Sequence, residues 1–218
     1  MPSQITEQEK GMSLRITGYT ILRESVTNLI LDQKNSPETW LDTGCGAGGS
    51  IRLSLEKFKD THFTLADPSE QNLAEARRTI GRDDIEYVCA PTDQLKFGDG
   101  SFDVITAILS HHYYPDMESK KDAVRNCLRM LKDGGIYVMV EHTIYDKEDQ
   151  ARMDADWRFY MENSGLDEES IQNMFERRNT FYFPLDEKQH LRMLNEIGFS
   201  ETLVFWRSCS DIGICARK

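Results

Sequence analysis

The chain has few cysteines, five among 218 residues, and no C-x-x-C spacing. That argues against the common zinc and dithiol motifs. Cys45, Cys89, Cys127, Cys209 and Cys215 fall mostly in apolar stretches and read as buried thiols in a reducing compartment. No apolar run approaches the roughly 20 residues that a membrane helix requires. The opening "MPSQITEQEKGMS" lacks the basic and apolar blocks of a signal peptide, so a cytoplasmic protein is expected. Positive charge is also in short supply: 26 Lys and Arg stand against 37 Asp and Glu, a net charge of −11. Such a balance repels polyanions at long range and disfavours nucleic acid as a partner. Repeats and low-complexity segments are absent. What remains, 39% hydrophobic and 29% charged, is the composition of a folded domain.

Periodicity then orders the elements. Tyr19, Leu22, Val26, Leu29 and Ile30 share one helical face, predicting a lead-in helix over residues 12–34. "TWLDT", "HFTLAD", "IEYVCA", "FDVITAILS" and "IYVMVEH" read as strands separated by helices. The helix through Val124, Cys127, Leu128 and Leu131 is expected to stop at Gly134-Gly135. This alternation specifies a parallel sheet covered on both faces, with ligands at the carboxyl ends of its strands. Residues 143–180 carry no strand signal and read as inserted helices. The terminal "FSETLVFWRSCSDIGICARK" holds two β-rich runs joined too tightly for a helical crossover, hence an antiparallel hairpin.

"WLDTGCGAGGSIRLS" closes the first strand, and Gly44, Gly46 and Gly49 fit G-x-G-x-x-G. Alone the pattern is shared by several nucleotide folds. Asp67 ends the second strand 18 residues after Gly49, where a carboxylate can accept hydrogen bonds from both ribose hydroxyls; an NADP site would want a basic residue there. Since Pro68 follows it, Asp67 also reads as a helix N-cap.

With "LADPSE", "LKFGDGSFDVI", "HHYY", "LKDGGIYVMVE" and the closing hairpin, the chain resembles the class I S-adenosylmethionine-dependent methyltransferases over about residues 38–142. The resemblance implies an α/β protein with a Rossmann-like, doubly wound, seven-stranded sheet. That sheet is mostly parallel with an antiparallel C-terminal hairpin strand. One domain over 1–218 is expected, with a helical lead-in at 1–36 and a helical lid at 143–180. S-adenosylmethionine becomes the cofactor, with S-adenosylhomocysteine as product and a small molecule as acceptor; a homodimer is one assembly considered. The cofactor contacts carried over are Asp42, Gly44, Cys45, Gly46, Asp67, Pro68, Thr92, Asp93 and Ser110. Asp42 suits an ammonium better than it suits a phosphate. Pro91 departs from the family's acidic adenine contact, leaving Asp93 or the Thr92 backbone for that role. The lead-in "RITGYT" and the stretch from Glu176 to Phe199 also look like carboxy-S-adenosylmethionine synthases. There an Arg binds the transferred carboxylate, at a place matching Arg177 or Arg178. That activity and a non-catalytic cofactor-binding protein are the alternatives.

For chemistry, His111, His112 and His142, with Glu141, follow strand ends and are the candidate bases, while a structural role for "HHYY" stays open. No metal site is expected, because adjacent His111 and His112 point apart and no third ligand is fixed. Tyr113, Trp157, Tyr160, Arg177 and Arg178 are the candidate acceptor contacts. The aromatic insert is read as a lid over the cleft or as rings that pack the inserted helices onto the sheet.

Overall fold

A computed structural model describes residues 7–218. Seven strands form one sheet in the order β3-β2-β1-β4-β5-β7-β6. They are β1 (Thr39–Thr43), β2 (His62–Asp67), β3 (Glu86–Cys89), β4 (Phe102–Ile108), β5 (Leu131–His142), β6 (Glu201–Arg207) and β7 (Asp211–Arg217). The first five run parallel, and β7 inserts antiparallel between β5 and β6. Alternate residues feed opposite faces, as the period of a strand demands. Trp40, Phe63, Leu65, Val104 and Val138 pack under α2 (Tyr19–Lys34), α3 (Arg52–Lys57) and α4 (Glu70–Ile80). Leu41, Ala66, Ile105, Tyr137 and Met139 face α5 (Met117–Met130) and α8 (Glu187–Ile197).

Three expectations are corrected. The lead-in is two helices, α1 (Glu7–Arg15) and α2, because Gly18 adopts a left-handed φ of 68° that ends helical continuity. A Cβ there would also stand 3.2 Å from the Trp206 ring. α5 ends at Met130 rather than Gly134: Leu131 already pairs with Phe102, and the next pair is Val104 with Ile136. Residues 132–135 therefore bulge out of β5, and the two glycines belong to that bulge. Of the cysteines, Cys45, Cys127 and Cys215 are buried, but Cys89 is exposed and Cys209 half-buried.

The insert is helical, α6 (Lys147–Asn163) and α7 (Glu168–Thr180), with its own apolar centre of Trp157, Met161, Ile171 and Met174. Part of its acidity is structural. Asp146, Asp167 and Asp186 are the N-caps of α6, α7 and α8, each accepting a backbone N–H. Sheet order reverses between β1 and β4, and their carboxyl ends open the main cleft.

Candidate active site

The loop after β1 turns at Gly44, whose φ of 68° favours glycine and whose Cβ would come within 2.3 Å of the Ser110 Cβ. Glycine is thus required by both conformation and space. The turn brings the Gly46 N–H to Asp67 Oδ2 at 2.9 Å, while Asp67 Oδ1 accepts from the Ser69 N–H and Asn72 Nδ2. Ser69, not Asp67, is the N-cap of α4. Asp67 therefore clamps the glycine loop to the end of β2 while lining the cleft.

About 510 Å³ in volume, this cleft is lined by Gly44, Cys45, Gly46, Asp67, Pro68, Thr92, Ser110, His111 and Tyr113 from the expected set. Met12, Tyr19, Asn72, Leu109 and Tyr114 also line it without having been anticipated as site residues. Met12 and Tyr19 come from the lead-in, where helical periodicity marked Tyr19 only as a core residue. Asn72 had a local signal, three residues after the cap in "DPSEQN". Leu109 takes a left-handed φ of 55° at the end of β4, a strained conformation for a branched residue, held by its N–H to Val140 O at 2.7 Å.

Two residues before Gly44, Asp42 is buried and outside the cleft lining; Oδ1 accepts from Thr106 Oγ1 at 2.6 Å and Oδ2 has no partner. Burial pushes this carboxyl up to about 7, with the Thr106 hydrogen bond opposing and Asp67 adding. A buried, half-satisfied carboxylate just before a glycine cradle suits a cationic group, and Asp67 on the rim suits paired hydroxyls. The residues present therefore fit an aminoacyl-bearing nucleoside. Asp93 lies off the cleft and accepts from Tyr114 Oη at 2.8 Å.

The histidines separate in role. His111 lines the cleft, yet both ring nitrogens are engaged, Nδ1 with Tyr137 Oη at 2.9 Å and Nε2 with Thr92 Oγ1 at 3.0 Å. Burial, helped by Lys120, drops its pKa to about 3. Its backbone N–H donates to Glu141 Oε1 at 2.8 Å, and Glu141 Oε2 meets Lys120 Nζ at 3.0 Å, both side chains fully buried. His112 and His142 lie behind the cleft wall, rings 4.5 Å apart, with Tyr182 against both. Burial first, then neighbouring His142, holds His112 well below its ordinary range. His142 Nδ1 is 2.8 Å from Asp211 Oδ1, off the alignment of a hydrogen bond.

Of the expected acceptor contacts, only Tyr113 reaches the cleft. Trp157 is buried and donates to Arg15 O at 2.8 Å; Tyr160 donates to Ser13 O at 2.6 Å. Arg178 is buried and bidentate to Asp154. Arg177 stands beside Tyr113, its Nη2 3.5 Å from the hydroxyl. The insert thus packs on α1, and α1 rather than the insert borders the cleft.

Residues 41–139 match the model of the methyltransferase domain family. Over these residues the chain carries the domain of the class I S-adenosylmethionine-dependent methyltransferases. The methyltransferase is 32% identical over 119 residues to the demethylmenaquinone methyltransferase of Thermotoga maritima, covering 55% of this chain and 49% of that one. It is 31% identical over 113 residues to the sterol 24-C-methyltransferase erg6 of Aspergillus fumigatus, covering 50% and 29%. The chain therefore spans half or less of these relatives' length. In fold it is similar to the plantazolicin methyltransferase BpumL, solved in complex with a triazolic desmethylPZN analogue and SAH. That comparison has a TM-score of 0.72 at 13% identity and covers 97% of this chain and 90% of that one. S-adenosylmethionine is the cofactor of this methyltransferase. The family match ends inside β5, so the insert and hairpin of the methyltransferase lie outside it. Among the described residues no helix is long and apolar enough to cross a membrane.

Proposed function

We propose that this chain transfers the methyl group of S-adenosylmethionine to a small-molecule acceptor. One observation carries the reading: Asp67 on the rim and the Gly44–Gly46 backbone converge on one cleft, and Asp42, outside its lining, keeps a half-partnered carboxyl two residues before Gly44. The demethylmenaquinone and sterol enzymes named above support a small acceptor. When bound, the cofactor supplies an electrophilic methyl on a good leaving group. What remains for the protein is positioning, worth up to ~7–11 kcal/mol in well-oriented systems. Asp42 and Asp67 would hold the cofactor's ammonium and ribose. Tyr113 and Tyr114 border the opening through which an acceptor enters. Because both nitrogens of His111 are engaged, it positions Thr92 in the cleft wall against the buried Tyr137 and takes no proton. Glu141, tied to Lys120, fixes the His111 turn.

Calorimetry with S-adenosylmethionine, S-adenosylhomocysteine, NAD and NADP tests the cofactor half. The first two should bind and the last two should not. Asp67→Asn should weaken binding by about 2–4 kcal/mol, since ribose hydroxyls and loop donors lose a charged acceptor. Tight NAD binding overturns the reading. A labelled methyl group should pass from the cofactor into the small-molecule fraction of a cell extract. A carboxylated cofactor in mass spectra of the purified protein would instead favour carboxy transfer.

A further inference from the structure

Beside the cofactor cleft lies a second cavity of about 400 Å³, lined chiefly by Arg15, Ser170, Asn173, Glu176, Arg177 and Phe181. The two share a border. Met12 lines the cleft one helical turn before Arg15, and Tyr113 lines it with its hydroxyl 3.5 Å from Arg177 Nη2. On a chain of net charge −11 this cavity is locally positive, with two guanidinium groups against the single carboxylate of Glu176.

Among the described residues neither guanidinium is paired with a carboxylate. Arg15 Nη1 donates to Gly11 O at 2.9 Å, which holds the group in place and leaves other N–H donors for a ligand. Arg177 has its long contact to Tyr113 and lies over the Tyr182 ring, 5.7 Å from its centroid. Neighbouring Arg158 and Arg178 on the same insert are instead paired with Glu168 and Asp154. Phe181 adds an apolar side chain, 68% exposed.

We propose that this cavity binds the anionic end of the acceptor: a small amphiphile bearing a carboxylate or phosphate, its apolar body against Phe181. The proposal rests on the methyl-transfer reading and deepens it. Guanidinium forks match both oxyanions, so the two groups share one recognition chemistry.

The test uses the whole protein saturated with S-adenosylhomocysteine, titrated by calorimetry with octanoate, octyl phosphate, octylamine and octanol. One or both anions should bind about tenfold or more tightly than the amine or the alcohol, and weaken with added salt. The tighter of the two anions identifies the group. Arg15→Gln and Arg177→Gln should each weaken anion binding about tenfold, with affinity for S-adenosylhomocysteine held within about twofold. Arg192→Gln removes the same charge from an exposed position on α8 and should change nothing. Equal binding of octanol or octylamine, an Arg192→Gln effect as large as the others, or insensitivity to both cavity arginines would overturn the proposal. Failure to bind S-adenosylhomocysteine would sink the methyl-transfer reading itself, whereas its binding without the anions would sink only this one.

Discussion

Asp42 sits where a titration can be read directly. Its folded pKa, about 7 through burial, lies above the ordinary carboxylate range. Its protonated form therefore favours the fold. That contribution is fully present below the unfolded pKa and is lost as pH rises through the folded value. Thr106 touches the carboxyl, and Asp67 is the charged neighbour. A ligand ammonium has the opposite preference and favours the ionised form. Affinity for S-adenosylmethionine should therefore rise with pH up to about 7 and then level off, with a proton released below that point. Calorimetry in buffers of different ionisation enthalpy measures the proton, and Asp42→Asn should flatten the profile. An unchanged profile in that variant would remove Asp42 from cofactor recognition.

α5 and β5 are joined by one buried ion pair. Lys120 and Glu141 are both fully buried, and Glu141 spends its second oxygen on the His111 N–H. Removing one partner strands the other charge in the interior, a loss of about 3–5 kcal/mol. Lys120→Met should thus lower chemical stability by that amount, and Lys120→Met with Glu141→Gln should recover part of it. The amide keeps an acceptor for His111 without the charge. A cost below about 1 kcal/mol for Lys120→Met, measured by urea denaturation, would mean that water reaches the pair.

At the scale of the molecule, the insert acts on the cleft through α1. Tyr160 and Trp157 donate to the carbonyls of Ser13 and Arg15, near the C-terminal end of the helix that places Met12 over the cleft. At the other end, Glu9 pairs with Arg52 and Arg23, on α3 and α2. Tyr160→Phe deletes one hydrogen bond of about 1 kcal/mol and nothing else. Dissociation of S-adenosylhomocysteine, followed by stopped flow, should quicken about fivefold while the melting temperature falls by only about 2–4 °C. An unaltered rate would show that α1 does not retain the cofactor.

Strands, helices and the terminal hairpin were legible from periodicity and turn length, which are local. "HFTLAD" is β2 residue for residue, and "RSCSD" could only be a tight connection. Asp67 and the glycine loop were legible too, because both sit at strand ends whose positions the alternation sets. The end of α5 was misjudged, since register with Phe102 and not the glycine pair decided where helix became strand. Likewise Tyr19 looked like a core residue of one helix, and only packing put it on the wall of the cleft. Tertiary structure alone decided which of three similar histidines faces the cleft and which of two adjacent arginines is neutralised. Neighbours in sequence share composition, but a side chain's charge state and reach depend on partners such as Thr92, Tyr137 and Asp154, 19 to 26 residues away along the chain.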